Sequence, residues 1–467
     1  MVPILSSIKN IFTKSNSGYY VDQANIFSKI ASSFGVSCAE SPRMISAINT
    51  WNSIFQCSKT QIMKTVCHEA SKLVLNEASI SVDGEVDSDN TVKAAIAGLE
   101  NKLFSTLEIG IALGGMIIKP TLKGFDLVSP TNFIPIEYNA EGGITSAIFI
   151  DTIYRSDKVY RKAEYHHFEG DVYMIDSKAF VSKYSYSLGV QCSLSDVREW
   201  KDISEHIEIV NIEAPLFAYF RMPGFNNIDE TSNLGISLCS SAIEYLSAFD
   251  NVFDGFKADI ETTRKVIFVE KASLLNVDSQ SKRQKNFEKN PIPNLIVGMN
   301  NTDKIKEFNP SCNVNEFKTA LQMLLDMISV SCGFTSGYFT FDNKRAAVTA
   351  TQIESEDQVT ISTISAIRNN LKRAVEQAYY AYITILKLYD IYPDTINTIS
   401  FYTRDLSVTP EADKLHTLEL VKQGYYPLEL YLKEYEGFTD DDIDKYRDKI
   451  PALTKLGEQN IEPQNKF

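Results

Sequence analysis

The chain has 467 residues, and at about 100 to 200 residues per domain this length predicts roughly three structural units. Of these residues 44% are hydrophobic, 11% aromatic and 23% charged, which excludes disorder for the bulk of the chain. The formal net charge of -14 has the wrong sign for a static nucleic-acid-binding protein, because such proteins gain affinity by neutralising phosphates with Lys and Arg.

The cysteine pattern predicts reduced thiols rather than a disulfide framework. The seven cysteines are odd in number and spread singly, with no CxxC spacing for zinc. The N-terminus lacks the apolar core of a secretory signal. The longest apolar stretch, Ile109 to Ile118, is about half as long as a membrane-spanning helix. We therefore expect a soluble protein that is made in a cytoplasm and has no membrane segment.

The first part of the chain is predicted to be helical and the next part to be a β meander. Apolar residues at helical spacing predict helices at Asn25 to Phe34, Ala47 to Phe55 and Met63 to Leu75. From Ile111 to about Val181 the pattern changes to short runs rich in Ile, Val, Tyr and Phe, separated by glycine-containing turns. Such runs are typical of antiparallel strands.

Two amphipathic helices with a small β excursion between them are predicted further along the chain. The first helix runs from Cys239 to about Ile260, and the second starts near Asn313. Two short strand signals lie between them, at Val266 to Val269 and Leu295 to Val297. This arrangement is uncommon for an enzyme core.

An aromatic and polar loop, Tyr338 to Arg345, follows the second helix. A helical pattern without Gly or Pro then runs from Thr349 to about Tyr389 and would span about 60 Å. Any bend in it is expected at Val359 to Ser365, where β-branched residues lower helix propensity. A strand, Thr398 to Tyr402, precedes a last helical segment from Glu411 to Ile450.

No catalytic motif is recognisable. Gly110, Gly114 and Gly115 match neither the Rossmann nor the P-loop fingerprint, so a helix end entering a strand is favoured there. No Ser elbow or nucleophile beside a base is present. The histidines have no metal spacing with one another or with a cysteine, and structural roles are favoured for them: His68, His166, His167, His206 and His416. No catalytic residue, metal site or cofactor is therefore predicted.

The acidic run Thr439 to Asp444 leaves one enzymatic alternative open. Asp440, Asp442 and Asp444 could hold a divalent metal in a DNA-processing enzyme such as a nuclease. A helix start explains the run more simply, with Thr439 as N-cap and acidic side chains at the positive end of the helix dipole.

Two basic clusters stand out in this acidic chain. The first consists of Lys282, Arg283, Lys285 and Lys289, and the second is the pair Lys344 and Arg345. Each is either a solvated loop or a contact to phosphate or a partner, since both lie in loops between long helices.

The order of these elements, together with several local strings, resembles the portal proteins of tailed bacteriophages, in the lineage found in siphophages of Gram-positive hosts. The most specific strings are Phe308 to Pro310, Cys332 to Phe334, Phe339 to Asp342 and Val348 to Glu356. Relatives commonly carry Lys-Thr-Ala-Thr-Glu in the last of these, where the outer residues of this chain are Val and Gln.

The resemblance implies an α+β portal fold in which each region has a family name. Residues 1–237 correspond to the wing, with its helical block and β meander, 238–265 to stem helix 1, 266–311 to the clip, 312–333 to stem helix 2, 334–348 to the tunnel loop, 349–405 to the long helix and returning wing strand, and 406–467 to an α-helical crown.

The resemblance also implies a role and partners. Such proteins form a ring, expected here to be a dodecamer, at one capsid vertex, through which double-stranded DNA is packaged and ejected without sequence specificity. The ring docks the terminase large subunit and head-tail connector or adaptor proteins and sits beside major capsid and scaffolding proteins. It is a virion component assembled in the host cytoplasm, not an enzyme, and it has no cofactor and no membrane contact.

The resemblance assigns site residues in three groups. Those expected to face DNA in the tunnel loop are Tyr338, Phe341, Asp342, Asn343, Lys344 and Arg345. Those expected to contact partners from the clip are Lys282, Arg283, Lys285 and Lys289. Those expected to pack helices between subunits are Phe249, Phe253, Phe256, Leu321, Leu324, Ile367 and Leu371.

The charge and the helices agree with a ring that lets DNA slide. Each added Lys contact to phosphate would deepen a binding well, whereas an acidic wall leaves none. Apolar stripes on helices too long for one small core would be covered by neighbours in a closed heterologous ring. Another ring-forming virion part, such as a connector, is a weaker alternative, because of the length of the chain and the long helix after the loop.

Overall fold

The computed structural model describes residues 24–76, 78–83, 89–155, 157–263, 266–270, 295–298, 305–308, 311–341, 358–389, 398–402, 410–438, 443 and 445. The chain divides into two units, Met1–Thr403 and Arg404–Phe467, which are described separately. Helices and antiparallel sheets are both abundant in the first unit, which confirms the predicted α+β class.

Among the residues that the structure describes, four helices precede the main sheets. They are α1 (residues 24–33), α2 (Pro42–Cys57), α3 (Ile62–Leu75) and α4 (Asp89–Leu113). The helices predicted in this part of the chain are confirmed, and α2 begins five residues earlier than expected because Ser41 caps it and Pro42 occupies its first turn. A short strand, β1 (Ser79–Asp83), lies between α3 and α4.

The predicted meander is confirmed but forms two sheets. Its strands are β2 (Gly115–Thr121), β3 (Gly124–Val128), β4 (Phe133–Tyr138), β5 (Ile144–Arg155), β6 (Lys158–Glu169), β7 (Val172–Ser182), β8 (Val190–Cys192), β9 (His206–Val210) and β10 (Ala218–Arg221). One sheet has the order β10-β2-β3 and the other β4-β5-β6-β7-β8, with β9 also paired to β7. The division falls between β3 and β4, because β3 pairs with β2 whereas β4 pairs with β5, and β10 lies on the other side of β2.

The glycine run at the end of α4 is a helix-to-strand corner, as predicted. Gly114 has a left-handed φ of 91°, and a Cβ on it would lie 2.3 Å from the carbonyl oxygen of Gly235. Only glycine fits such a close approach of two backbones.

The second half of the first unit contains the predicted helical pair. Its elements are α5 (Ile243–Thr262), β11 (Val266–Glu270), β12 (Leu295–Gly298), β13 (Ile305–Phe308) and α6 (Val314–Ser331). The strands form a sheet of order β12-β11-β13, in which β12 runs parallel to β11. The sequence reading missed β13, whose Ile-Lys-Glu-Phe carries two charges among four residues.

A long helix and a returning strand complete this unit. The helix α7 (Gln358–Leu388) contains Val359 to Ser365 without interruption, and the predicted helical residues 349–357 lie outside the described part of the chain. The strand β14 (Thr398–Tyr402) has its predicted bounds and pairs antiparallel with β1, with Ser79 opposite Tyr402.

The hydrophobic core joins α1 and α7 to the sheets. Ile30 of α1 packs against Ile134, Ile148 and Phe180 on one face of the larger sheet. At the smaller sheet, the rings of Phe125 and Tyr382 lie 4.9 Å apart, so α7 covers the strands. The helix α7 is therefore part of the hydrophobic core of this unit.

Where one helical segment was predicted, the described residues of the second unit are helical at 443 and 445 and in two helices with defined bounds. They are α8 (Pro410–Gln423) and α9 (Leu428–Glu436). The expectation of a single segment from Glu411 was wrong because Gly424, with a φ of 79°, and Pro427 interrupt it. Of the acidic run Thr439 to Asp444, the candidate carboxylates Asp440, Asp442 and Asp444 lie outside the described residues.

A buried polar network lies within the larger sheet. The Glu164 carboxylate accepts hydrogen bonds from Lys119, from Lys162 at 3.1 Å and from His166 Nε2 at 2.7 Å. The other ring nitrogen of His166, Nδ1, accepts from the Tyr173 hydroxyl at 2.9 Å. Burial, reinforced by the positive charge of Lys119, lowers the pKa of His166 to about 4.

This network predicts a loss of stability in acid. Since His166 has a pKa near 6.5 when unfolded and about 4 when folded, the unfolded chain binds the proton first as pH falls. The free energy of unfolding should drop by about 3 kcal/mol between pH 6.5 and 4 from this group. Urea unfolding at several pH values, compared with His166→Gln, would measure it. His68→Gln, at an exposed histidine, is the control, and equal pH profiles for both variants would contradict the assignment.

Candidate functional site

The candidate site is the segment that follows α6 and contains the first half of the predicted tunnel loop, 334–348. We call residues 332–341 the junction segment. At its start the chain leaves the helix through Gly333, which has a φ of 74°, and the N–H of Phe334 returns to the carbonyl of Ser329 at 2.9 Å. The Thr363 hydroxyl on α7 donates to the Gly333 carbonyl at 2.9 Å, so the two helices meet at this turn.

Gln322 of α6 holds the far end of the junction segment. Its amide nitrogen donates to the Phe339 carbonyl at 3.2 Å. Its amide oxygen accepts from the Phe341 N–H at 3.0 Å and from the Thr340 hydroxyl at 3.3 Å. One side chain therefore binds three consecutive residues of the segment.

Three aromatic rings fill the space between these two attachments. The rings of Phe334, Tyr338 and Phe339 lie 4.9 to 5.2 Å apart, and Phe334 is buried. The Tyr338 hydroxyl donates to Glu69 of α3 at 3.0 Å. The segment is thus ordered by α3, α6 and α7 up to Phe341, whose side chain is 53% exposed.

The helices α5 and α6 pack through aromatic side chains. Phe256 of α5 lies 5.5 Å from Phe317 of α6, and the N–H of Asn313 donates to Asp259 at 3.3 Å. Phe249 lies two turns nearer the start of α5 and is buried, whereas Phe256 is only half-buried. The helices α5 and α6 therefore leave part of their apolar surface exposed near Phe256.

Asp250 of α5 fixes the start of α3. Its carboxylate accepts hydrogen bonds from the Ser58 hydroxyl at 2.9 Å, from the N–H groups of Lys59 and Thr60 at 3.3 and 3.2 Å, and from the Thr60 hydroxyl. Gln61, the N-cap of α3, makes no side-chain capping bond of its own. A carboxylate from another helix thus holds the turn of residues 58–60 that leads into α3.

Arg368 of α7 fixes the end of α3. It is buried, and its guanidinium donates to the carbonyls of Leu73, Val74 and Asn76 at 2.7, 2.9 and 3.2 Å. These are carbonyls that a helix C-terminus leaves without partners, and a cation is favoured there. Opposite charges from α5 and α7 therefore hold the two ends of α3.

Three buried thiols meet beside these helices. The sulfur of Cys239 lies 3.9 Å from that of Cys67 on α3 and 3.6 Å from that of Cys332 at the end of α6. The hydrogen bond to Cys239 and burial raise the pKa of Cys332 well above its usual value, so it stays a neutral thiol. All seven cysteines are free, as predicted.

The structure places few of the residues predicted to contact DNA or partners. Tyr338 and Phe341 belong to the junction segment. The remaining tunnel-loop and clip residues lie outside the described part of the chain: Asp342, Asn343, Lys344, Arg345, Lys282, Arg283, Lys285 and Lys289. Among the described residues, no group of three or more His, Cys, Asp or Glu is arranged to hold a metal ion.

The residues predicted to pack between subunits differ in burial. Phe249, Leu321, Ile367 and Leu371 are buried, while Phe253, Phe256 and Leu324 are half-buried. Ile367 and Leu371 are fully covered by their own chain, so a neighbouring subunit is not needed to explain their burial. A role between subunits stays a prediction for the half-buried residues.

Sequence reasoning missed the residues that organise this site. Gln322, Asp250 and Glu69 are single polar side chains on helices, and no local pattern marks them. Asp250 lies about 190 residues from its partners, and Tyr338 lies 269 residues from Glu69. Arg368 is the exception, because a charged residue within the apolar stripe of a predicted helix is a signal that the sequence itself shows.

Comparison with known protein families defines the class. The order of paired helices, small sheet, junction segment and long helix falls inside residues 110–454, which match the phage portal protein family described as SPP1 Gp6-like. Since this match covers well over half of the 467 residues, the chain belongs to that portal family, as the local strings indicated. A search of the curated proteins finds no match to the chain.

Membership in the family carries a coarse functional meaning. It implies a phage portal role, with a capsid-associated oligomer at a vertex of the virion and a passage for DNA, and the family is generally structural rather than enzymatic. No helix within the described ranges has the length and apolar character that crossing a membrane requires.

The fixing of α3 by Asp250 predicts a large effect from one carboxylate and a small effect from its neighbour. Asp250→Ala should lower the free energy of unfolding by about 2 to 3 kcal/mol, because several donors lose a half-buried partner. Asp254→Ala, one turn along α5, removes only an ion pair with the exposed Lys59 and should have a much smaller effect. Urea unfolding of both variants tests this, and equal losses would contradict the role of Asp250 in holding the turn before α3.

Proposed function

We propose that this chain is the subunit of a portal ring that occupies one vertex of a phage capsid and conducts double-stranded DNA during packaging and ejection. The match of residues 110–454 to the portal family is the observation that carries this proposal. The order of elements supports it, because paired helices lead into a small sheet on one side and an ordered junction segment on the other.

An exposed apolar stripe on α6 supports assembly. Met323, Met327 and Val330 are 67%, 40% and 58% exposed and follow one another at i, i+4 and i+7. The opposite face of the same helix, with Leu325 and Ile328, is buried within the chain. A side-by-side ring would cover the stripe with a neighbouring subunit. We propose a ring of twelve copies.

The charge of the chain supports sliding of DNA. The helix α5 carries five acidic residues and one lysine, and the whole chain has a net charge of -14. Few positive side chains are available to hold phosphates, so the passage leaves the duplex free to move. The pair Lys344 and Arg345, close to the end of the ordered junction segment, is proposed to make light backbone contacts without base reading.

The remaining assignments follow from the family. Residues 266–311 are proposed as the clip, which docks the terminase large subunit and later the head-tail connector through Lys282, Arg283, Lys285 and Lys289. Residues 1–237 and 406–467 are proposed as wing and crown, beside major capsid and scaffolding proteins, with assembly in the host cytoplasm. No enzymatic role is proposed for Asp440, Asp442 and Asp444.

The ring proposal predicts particles with a central hole. Negative-stain images and sedimentation of the purified full-length protein should give rings of about twelve copies. Stable monomers at every concentration and ionic strength would overturn the proposal.

The same measurement tests the stripe. Met323→Asp with Met327→Asp should leave circular dichroism and melting temperature close to wild type, because both side chains are exposed, yet shift the protein from rings to smaller species. Ile328→Asp is the matched control on the buried face of α6, and it should unfold the subunit itself. Normal rings from the double variant would contradict the role of the stripe.

The DNA contact is tested by reversing the charge of the pair at positions 344 and 345. Lys344→Glu with Arg345→Glu should leave ring assembly intact but lower the number of DNA-filled heads in an infection complemented by the variant. The same change at the exposed pair Lys372 and Arg373 of α7 is the control, and it should keep normal packaging. Full heads and normal titres from the first variant would refute the contact.

A further inference from the structure

The edge strand β9 has no part in the proposed function and lies open. Within the described part of the chain, β9 pairs with β7 alone. Apart from Ile209, every residue in the range 204–211 is exposed. The larger sheet therefore ends in a strand whose outer edge is uncovered among the described residues.

The ladder between β7 and β9 shows which backbone groups point into the sheet. The N–H of Ser177 donates to the carbonyl of Glu205 at 2.8 Å, so these two residues are a hydrogen-bonded pair of an antiparallel ladder. Such pairs alternate along a ladder, which means that Ile207 and Ile209 also direct their N–H and C=O towards β7.

The alternate residues of β9 direct their backbone groups outwards. His206, Glu208 and Val210 lie opposite β7 residues as non-hydrogen-bonded pairs, so their N–H and C=O groups face away from the sheet. A row of this kind can pair with an added extended strand. Val210 is 61% exposed, which leaves room for a partner chain.

The side chains around this edge are acidic. His206 lies between two carboxylates, 2.6 Å from Asp176 and 3.0 Å from Glu208. Glu169 lies on the same side of the sheet, 4.0 Å from His167. A strand that pairs with β9 would therefore place its own side chains next to negative charge.

The charge selects among the possible occupants of the edge. Two copies of β9 paired to each other would bring their acidic side chains together, and like charges on neighbouring strands are destabilising. A strand that carries lysine or arginine at alternate positions would gain favourable cross-strand pairs instead. A basic partner is favoured over a second copy of this chain.

We propose that β9 is a docking edge for an extended, basic peptide segment of a partner protein, which joins the larger sheet as an additional strand. The backbone of His206, Glu208 and Val210 supplies the hydrogen bonds, and the acidic side chains select the charge. The proposal goes beyond ring formation and DNA passage and does not depend on either.

Binding of a model strand to the full-length protein tests the proposal. The probe is a fluorescein-labelled octapeptide of alternating lysine and valine, and fluorescence anisotropy measures its affinity. The glutamate-valine octapeptide is the charge control. A lysine-valine octapeptide N-methylated at every backbone amide keeps the charge but has no backbone N–H with which to pair along either edge. We expect saturable binding of the unmodified lysine-valine peptide. The glutamate-valine peptide and the N-methylated peptide should bind at least about tenfold more weakly.

Variants of the protein locate the binding. Val210→Pro removes an outward N–H and leaves the bonds to β7, so it should weaken binding at least about tenfold, whereas Val210→Thr should not. Glu208→Lys should also weaken binding of the basic peptide. Equal binding of the N-methylated peptide would mean charge attraction alone and would overturn the proposal, as would no binding at all. If Val210→Pro fails to fold, peptide binding to Glu208→Lys and binding of the N-methylated peptide to the wild-type protein still test the proposal.

Discussion

The arrangement of the first unit depends on two opposite charges at the two ends of α3. Asp250 of α5 receives the donors at its start, and Arg368 of α7 donates to the carbonyls at its end. Arg368 satisfies carbonyls that the end of the helix leaves without partners and agrees in sign with the helix dipole, whereas Asp250 satisfies donors in the turn of residues 58–60 just before the helix. The helix that leads into the small sheet and the long helix are thereby joined through α3, although they are far apart in sequence.

The junction segment depends on the same helix. Tyr338 donates to Glu69 of α3, Gln322 holds Phe339 to Phe341 from α6, and the turn at Gly333 rests against α7. The junction segment therefore contacts α3, α6 and α7, and α3 in turn is bound to α5 and α7. In a portal ring this would connect the position of the helices to the start of the loop proposed to approach DNA.

Local pattern predicted the elements better than their partners. Helical spacing located α3, α5 and α6 within a few residues, and the bounds of β14 were correct, because each apolar face is visible in a short window. The pairing of β14 with β1 and of β2 with β10 was not predictable, since register between distant segments leaves no local signal. The break between α8 and α9 could have been predicted, because Gly424 and Pro427 are both visible in the sequence and both interrupt helices.

The position of the candidate site could be predicted from the sequence, but the contacts that order it could not. The loop after α6 stood out because Tyr338, Phe339 and Phe341 lie close together in a polar stretch. The side chains that order it could not be identified, because Gln322 and Glu69 resemble any polar residue on a helix surface. The strings shared with the portal family indicated the class of protein. The hydrogen bonds that join its helices connect distant parts of the chain, so only the folded structure shows them.

The pairing of β1 with β14 has a consequence for biosynthesis. Residues 79–83 obtain their strand partner only when residues 398–402 have emerged from the ribosome, more than three hundred positions later. Arg368 and the rest of α7 emerge only shortly before these residues, and until they do α3 lacks Arg368 and the apolar surface that α7 will cover stays in contact with water or a chaperone. Closure of this unit is therefore a late, largely post-translational event governed by long-range contacts, and such topologies fold slowly.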